Sequence, residues 1–454
     1  MCLRFCFLIS SIISLSFSTA QDLNTSPFSR YGLGELNAVQ STHFLGMSNA
    51  SNSFSDPQNI NIANPASYAG FFRYNPIFDV SVSGKSALYK SNYSNEENTS
   101  SATSSGLNNM LIGLPIQKNW GLVLGILPYS SMGYNATSNE IIDSNTVSYK
   151  YSGDGSINRL ILGNGFNILN KGDSLKIALG FNASYLFGTL NQLNSVEFND
   201  NSYYNSRIQN QASISSWLFD GGIQYFQQFR NPANSNRWFL RMGASYSLQS
   251  NAKTINDYFA YTYTYNFNVQ EIPKDTLSFD EEIEGSVAIP DKMTFSISIG
   301  RNAQDKNVWD LAAQYTSSDW TTFNDTQLFV NQTNLSLGAY EQWSFGYRIT
   351  PSLDWANTNK SILAKSNYSF GLKRATSEVV VSDNSLINYG INFGVSIPML
   401  SSRSLSRLNL GCELGRLGTL DENNIEENYI RFSVGFSMAP DTRYDRWFRK
   451  RKYD

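Results

Sequence analysis

The side chains that could do chemistry in this sequence are few, and a single histidine limits them further. His43 is the only histidine among 454 residues, so a Ser/His/Asp or Cys/His arrangement would have one base available. The motifs G-x-S-x-G, H-E-x-x-H and C-x-x-C and the Walker loop are absent from the sequence. We therefore expect no enzyme, no metal site and no cofactor, and we interpret His43 as a packing residue.

A second chemical feature is a set of basic residues placed on the polar side of alternating strand patterns. These are Arg159, Arg241, Arg348, Lys373 and Arg431. If the strands enclose a lumen, these side chains should point into it, where a charge could bind a ligand carboxylate. The alternative is that they pair with lumen carboxylates such as Glu413, Asp310 or Asp79 and hold the fold together.

The elements that would position these residues are strands, which follow one another from about residue 75 to near the C-terminus. Near the end, Ile430, Phe432, Val434, Phe436 and Met438 alternate with small or polar residues. The same pattern recurs at residues 175–187, 293–299, 343–349 and 389–397. Such strands either cover a core on one side or face lipid on one side and a polar lumen on the other.

Connector lengths favour the second arrangement. Short connectors are expected at residues 117–119, 170–173, 301–307 and 400–406, and long polar ones at 91–105, 191–212, 251–284 and 420–428. Short turns on one side and long loops on the other are typical of bacterial outer-membrane barrels. The sequence thus predicts an all-β fold, a transmembrane antiparallel β-barrel of about 14 strands with an N-terminal plug, or hatch, in its lumen. A secreted multi-domain sandwich protein is the alternative.

The ends of the chain predict its compartment and its domains. Arg4, the apolar residues 5–17 and the small residues before Gln21 predict a cleaved signal peptide over residues 1–20 and an outer-membrane location. We expect the hatch at 21–75, the barrel at 76–438 and a basic periplasmic tail at 439–454. The net charge of −3 argues against a nucleic-acid partner.

The tail combines aromatic and basic side chains and has two interpretations. Its contact candidates are Trp447, Phe448, Arg449, Lys450, Arg451 and Lys452. It could lie on the inner leaflet, with aromatics at the interface and cations on lipid phosphates. It could instead dock an envelope protein partner, with Trp447 as the anchor.

Several motifs in one order resemble the FadL/TodX family of outer-membrane transporters for long-chain fatty acids and hydrocarbons. They are Ser26-Pro27-Phe28-Ser29-Arg30-Tyr31-Gly32-Leu33-Gly34, Gly46-Met47-Ser48, Asn64-Pro65-Ala66, residues 120–130 on the third strand, Ile289-Pro290-Asp291-Lys292 opening the eighth, a strand from Trp309 to Phe323, and the basic ending. The resemblance implies a 14-stranded barrel blocked by an N-terminal hatch. The tail beyond the last strand departs from many relatives.

The resemblance also implies a function, passive transport of small hydrophobic molecules through the plugged lumen, with outer-membrane lipid and a hydrophobic ligand as partners. Candidate gate residues are Asn64, Pro65 and Ala66 with Gly32 and Gly34. The Asn-Pro-Ala combination suits a tight bend, which structure alone would explain equally well. Because some branches of the family serve protein secretion or assembly, the alternative is a non-transporting subunit of such machinery, with loops and tail as contacts. A third interpretation is a purely structural surface protein.

Overall fold

The computed structural model describes residues 26–440 apart from short gaps. The gaps are residues 38–40, 94–95, 143–144, 173, 201, 231–235, 267–269, 304–306, 326–327, 331–336, 353–360, 382–383, 400–405 and 421–424. The predicted signal peptide and the tail residues 441–454, including Trp447, Phe448, Arg449, Lys450, Arg451 and Lys452, lie outside the described part. No helix in the described ranges is both long and apolar enough to cross a membrane.

Residues 26–76, which we call the hatch, contain only short elements. They are the 3-10 helix η1 (Pro27–Arg30), strand β1 (Glu35–Leu36), helix α1 (Thr42–Leu45) and the 3-10 helix η2 (Pro65–Gly70). Prolines at the start of η1 and η2 supply a backbone φ suited to the first helical turn. Most of the described hatch residues are buried although the segment has no sheet of its own, because it packs against the inner faces of the strands that follow.

The remaining chain forms a closed antiparallel barrel of 14 strands. Its segments are β2 (Ile77–Tyr93), β3 (Glu96–Gln117), β4 (Trp120–Ile142), β5 (Asn145–Asn170), β6 (Leu175–Phe198), β7 (Asn205–Arg230), β8 (Arg237–Ser247), β9 (Ser250–Tyr265), β10 (Glu271–Ile289), β11 (Lys292–Asn302), β12 (Val308–Asp319), β13 (Ala339–Thr350), β14 (Asn367–Val381), β15 (Asn384–Pro398), β16 (Arg407–Leu417) and β17 (Ile425–Met438). The barrel closes where β17 pairs with β2, from Ile425↔Ser91 to Met438↔Phe78. The predicted fold class is confirmed.

Two barrel strands are each built from two segments. Segments β8 and β9 form one barrel strand, and segments β10 and β11 form the next. Strand β7 pairs with β8 along one half and with β9 along the other, and on the far side β8 pairs with β11 and β9 with β10. The breaks fall at residues 248–249 and 290–291. Pro290, which has no N–H to donate, therefore sits in the middle of the eighth barrel strand, whereas the sequence motif around it was expected to open that strand.

The predicted alternation is present on the wall. Phe345, Phe393 and Phe432 are about half exposed on the outer face, while the neighbouring Ser344 and Asn392 are buried on the inner face. An outer face of exposed aromatic and aliphatic side chains is what lipid contact requires. This protein is an outer-membrane barrel, as the sequence predicted.

The long polar connectors were predicted as loops, and most of that prediction is wrong. Residues 191–212 and 251–284 are mostly strand, because β6, β7, β9 and β10 continue past the level at which their outer faces stop being apolar. Beyond the membrane both faces of a strand meet water, so polar residues replace the alternation while the backbone ladder continues. By the short-turn rule, these extensions are at the extracellular end and Ile77 and Met438 at the periplasmic end. The strand expected from Trp309 to Phe323 ends at Asp319, where a 3-10 helix, η3 (Trp320–Asp325), begins.

Candidate functional site: the closed lumen and its open seam

Asn64 is the main polar anchor of the hatch. It is fully buried, and its amide Nδ2 donates to the carbonyl oxygens of Asn52 (3.0 Å), Ile223 (3.0 Å) and Ala244 (3.3 Å). Its Oδ1 accepts from the backbone N–H of Ala66 at 3.0 Å, which caps η2. One side chain therefore joins two hatch turns to strands β7 and β8.

A row of glycines on the wall receives η2. Gly121, Gly165, Gly180 and Gly222 lie opposite one another on the neighbouring strands β4, β5, β6 and β7. A Cβ at Gly180 would stand 2.2 Å from the Pro65 carbonyl carbon. A Cβ at Gly121 would stand 2.0 Å from the Tyr68 carbonyl oxygen. These glycines let the backbone of η2 lie directly on the backbone of the wall.

The opposite wall receives α1 and the turn after it in the same way. A Cβ at Gly371 would lie 2.5 Å from the Ser48 nitrogen, and one at Gly411 would lie 2.8 Å from the Leu45 side chain. Ser48 Oγ also donates to Asn392 at 2.8 Å, and the hydroxyls of Thr42 and Ser433 are 2.6 Å apart. The hatch is thus bonded to both sides of the lumen.

The five basic residues predicted to face the lumen do so, and each is ion-paired with a carboxylate. Arg241 and Arg348 both bind Asp310, at 2.7 and 2.9 Å, and Arg159 binds Asp220. Lys373 binds Glu413. Arg431 lies 3.3 Å from Glu35 of the hatch and 3.5 Å from Glu413. Glu413 and Asp310 are the partners expected from the sequence, whereas Asp79 bonds Ser437 instead.

His43 joins the hatch to this network. Its Nε2 lies 3.2 Å from the carboxylate of Asp56, and its Nδ1 lies 3.3 Å from Asn409 Oδ1. Burial by itself would raise the pKa of Asp56, but the hydrogen bond and charge of His43, together with the charge of Arg348, hold that pKa below its usual range. Asp56 is therefore a carboxylate at neutral pH.

Gly32 and Gly34, predicted as part of a gate, lie at the upper edge of the hatch. Both have positive φ, +55° and +90°. A Cβ at Gly34 would stand 2.5 Å from the Ser131 carbonyl oxygen on β4, and one at Gly32 would stand 3.0 Å from Leu337. They provide a left-handed backbone and close approach to the wall.

A second closure comes from the extracellular side. The segment after β12 folds inward, and its described parts, residues 320–325, 328–330 and Leu337, are called the outer cap here. Trp320, Phe323 and Phe329 are at most 4% exposed and belong to one buried apolar cluster with Phe28 and Leu33 of the hatch. The hatch and the outer cap therefore meet inside the barrel.

A cavity lies between the described parts of the hatch and the outer cap. It measures about 270 Å³ and is lined by apolar side chains such as Leu127 and Tyr129 and by charged ones such as Lys85, Arg159 and Lys373. Lys85 is itself paired with Glu427 at 2.7 Å. A small amphiphilic molecule fits this mixture of surfaces. Within the described residues, no group of three or more His, Cys, Asp or Glu side chains is arranged to hold a metal ion.

The wall beside this cavity is open between β3 and β4. Their ladder runs from Gln117↔Trp120 only to Met110↔Ile126. Above the Met110↔Ile126 pair, β3 remains paired only with β2 and β4 remains paired with β5, as far as the tips of these two hairpins. We call the opening between residues 96–109 and 127–142 the seam. In the described part of the chain, each of its two edges has a strand neighbour on one side only, except at residues 130–131.

At those residues the hatch pairs with the β4 edge. Strand β1 pairs with β4 through Glu35↔Ser131 and Leu36↔Ser130, and Asn37 N–H donates to the Tyr129 carbonyl at 2.9 Å. Beyond residue 133 the edge has no further backbone pairing within the described ranges.

A family model described as BamG matches residues 1–454. This chain belongs to the BamG family. Among solved structures, it is similar to the Pseudomonas putida toluene transporter TodX, with a TM-score of 0.56 and 14% identity over 90% of this chain and 99% of that one. It is also similar to a Pseudomonas aeruginosa FadL homologue (TM-score 0.52, 11% identity, 90% and 99% covered) and to the CymD monoaromatic hydrocarbon channel (0.50, 11%, 90% and 98%). No curated protein matches the sequence.

These likenesses confirm the FadL/TodX resemblance at the level of the fold. The basic residues and the Asn-Pro-Ala turn, which the sequence of this BamG-family chain indicates, lie in one lumen. Asp56, Glu35 and Asp220, the acidic partners from hatch and wall, were not predicted. The seam and the glycine rows were not predicted either, although glycines on the inward phase of several strands are visible in the pattern.

Proposed function

We propose that this protein is a non-transporting subunit of outer-membrane assembly machinery, in which a barrel with its lumen blocked from both ends serves as a membrane-anchored scaffold. The observation that carries the proposal is the double closure of the lumen. The hatch is bonded to opposite walls, and the outer cap packs directly on it. A barrel closed from both ends suits a structural role better than passage of solute.

The electrostatics of the lumen support the same role. The basic side chains that could receive an anionic ligand already have buried carboxylate partners. Separating such a pair costs about 3–5 kcal/mol, because the charge left behind is buried and uncompensated. A ligand would have to repay that cost. The family name BamG also hints at assembly machinery. The role is non-catalytic.

A second candidate is the passive transport of small hydrophobic molecules. It is favoured by the cavity next to the seam, since Leu127, Tyr129 and Leu36 line a side of the cavity that borders an incomplete wall. The FadL-like fold is compatible with it. In this case the hatch residues Asn64, Pro65 and Ala66 would act as a gate, and Arg159 and Lys373 as ligand contacts.

A disulfide between hatch and wall separates these two functions. Thr42 and Ser433 have hydroxyl oxygens 2.6 Å apart, so the Thr42→Cys/Ser433→Cys variant can form a bond across the junction, in a Cys412→Ser background. Each single-cysteine variant is the matched control, because it carries the same change without the bond. The readouts are the steady-state level of other outer-membrane barrels and the uptake of a labelled long-chain fatty acid or toluene.

The proposal expects the locked variant to restore normal levels of other barrels in cells depleted of the wild-type protein. If the lock abolishes uptake, and the level of other barrels is indifferent to depletion, the assembly role is wrong and transport replaces it. Heat-dependent gel mobility of the locked barrel checks that it has folded.

A further inference from the structure

We propose that the seam is a strand-acceptor site, where an extended, uncharged segment of a partner outer-membrane protein pairs with β4 through residues 134–142. This inference rests on the proposed role in assembly machinery and names the way in which the subunit binds its partner. The juxtaposition that carries it is a regular β4 edge that faces the β3 edge across an open wall.

The backbone of the β4 edge is paired on one side only at the seam. Residues 135–142 of β4 are fully paired with β5 on one side, are exposed, and have no strand on the other side within the described residues. Backbone N–H and C=O groups along such an edge form a template for another strand.

The same sheet contains a second edge, on β10, and it differs from the β4 edge. The outer part of β10 is also an edge, since β10 pairs with β9 while β12 pairs with β11 and β13. It is protected against pairing by Pro273, by three register shifts, and by acidic side chains. The acidic residues are Glu271, Asp275, Asp280, Glu281, Glu282 and Glu284. Prolines, bulges and charges are the devices by which proteins block edge strands.

Above Pro128 and the register shift beside it, the β4 edge has a single device of this kind, Glu140. From Ser130 to Ile142 its pairing with β5 runs without a register shift, there is no proline, and Glu140 is the one charged residue. Ile141, 76% exposed, lies at its tip, where a partner would cover it. The facing edge of β3 begins with Glu96 and Glu97, and its residues 98–106 consist of Ser, Thr, Asn, Ala and Gly. The contrast between the blocked β10 edge and the regular β4 edge indicates that the β4 edge is available for pairing with another strand.

The β4 edge already pairs with one short strand, β1 of the hatch. Glu35 and Leu36 of β1 pair with Ser131 and Ser130, at the bottom of the seam. The hatch also reaches Gly133, whose backbone N–H and carbonyl both bond Ser29 Oγ at 3.0 Å, so the edge that remains for a partner begins at Tyr134. A partner segment there would obtain its affinity from main-chain hydrogen bonds and its selectivity from alternate side chains.

Hydrogen exchange on two samples tests the inference. One sample is the complex extracted gently from native outer membranes, and the other is the isolated chain in detergent. We expect those amides of residues 135–142 that point away from β5 to exchange roughly 100-fold more slowly in the complex, while the amides of β10 residues 271–284 are unchanged. If a complex forms and the β4 amides exchange equally fast in both samples, the strand-acceptor inference is wrong and the assembly role stands.

Two further outcomes are equally informative. Slow exchange of the amides that point away from β5 in the isolated chain would mean that β3 and β4 pair with each other, which also overturns the inference. If no protein partner is extracted with the chain, the proposed function fails and this inference fails with it.

A pair of variants adds an independent test. Thr137→Lys/Ile141→Lys puts two charges on the exposed β4 edge, and Thr276→Lys/Ser278→Lys makes the matched change on β10. We expect the β4 pair to lower partner recovery by about 10-fold, or 1.4 kcal/mol, and the β10 pair to have no effect. Equal losses from both pairs would contradict a specific site. Heat-dependent gel mobility and exchange within the β4–β5 ladder below residue 130 confirm that each variant has folded.

Discussion

Replacing Asn64 should loosen the hatch without unfolding the barrel. Alanine removes an amide whose two protons are shared by three carbonyls at 3.0–3.3 Å, and it removes the cap on η2. Two net hydrogen bonds and one cap at about 1 kcal/mol each sum to about 3 kcal/mol. The open population of the hatch should therefore rise on the order of 100-fold. Asn64→Asp should be worse, because it places a carboxylate among the three carbonyl oxygens.

The assay is hydrogen exchange of peptides covering residues 59–70, with peptides from β5 and β6 as an internal reference. Asn135→Ala, at an exposed position on β4, is the matched control and should leave exchange unchanged. The expected order of exchange rates is Asn64→Asp, then Asn64→Ala, then wild type. If Asn64→Asp exchanged like the wild type, the argument that this side chain anchors the hatch would be refuted.

Three further predictions follow from the lumen. Gly180→Ala puts a Cβ 2.2 Å from Pro65 and should increase exchange in η2, whereas Gly221→Ala, which meets nothing within 4 Å, should not. Asp310→Asn leaves two largely buried arginines, each 15% exposed, short of a counter-charge and should destabilise the barrel by about 3 kcal/mol in urea unfolding. Glu284→Gln, which loses an exposed pair, should cost less than about 1 kcal/mol. Because the pKa of Asp56 is lowered by folding, its contribution to hatch docking is complete above its unfolded pKa of about 4 and is lost only as the pH falls through the folded value. As far as Asp56 determines it, protease resistance of the hatch should thus be constant from pH 8 to about pH 5. A loss of resistance in that range that occurs in the wild type but not in Asp56→Asn would contradict this prediction.

Much of the barrel could be predicted from the sequence because lipid imposes a period of two on the outer face. Phe345, Phe393 and Phe432 show that period, and the structure places all three outward. The extracellular extensions could not be predicted in this way, since strands such as β9 and β10 have water on both faces there. Polar residues on both faces are also typical of loops, and that is how residues 251–284 were interpreted.

The lumen was predictable by residue type but not by partnership. Arg348 could be expected to face inward, and Asp310 to lie near it, because both follow strand periodicity. Gly121, Gly165, Gly180 and Gly222 are far apart in the chain and form a row only through strand register, which no local pattern specifies. The seam depends on a ladder that stops at Met110↔Ile126, which is a tertiary feature.

The central claim is that this barrel, with its lumen blocked by the hatch and the outer cap, is a scaffold that works with protein partners. Native mass spectrometry of the tagged protein, extracted gently from outer membranes of its native host, tests it most directly. The account predicts stoichiometric protein partners and a barrel of unmodified mass. A monomeric barrel carrying a small hydrophobic adduct would contradict it and would identify the protein as a transporter.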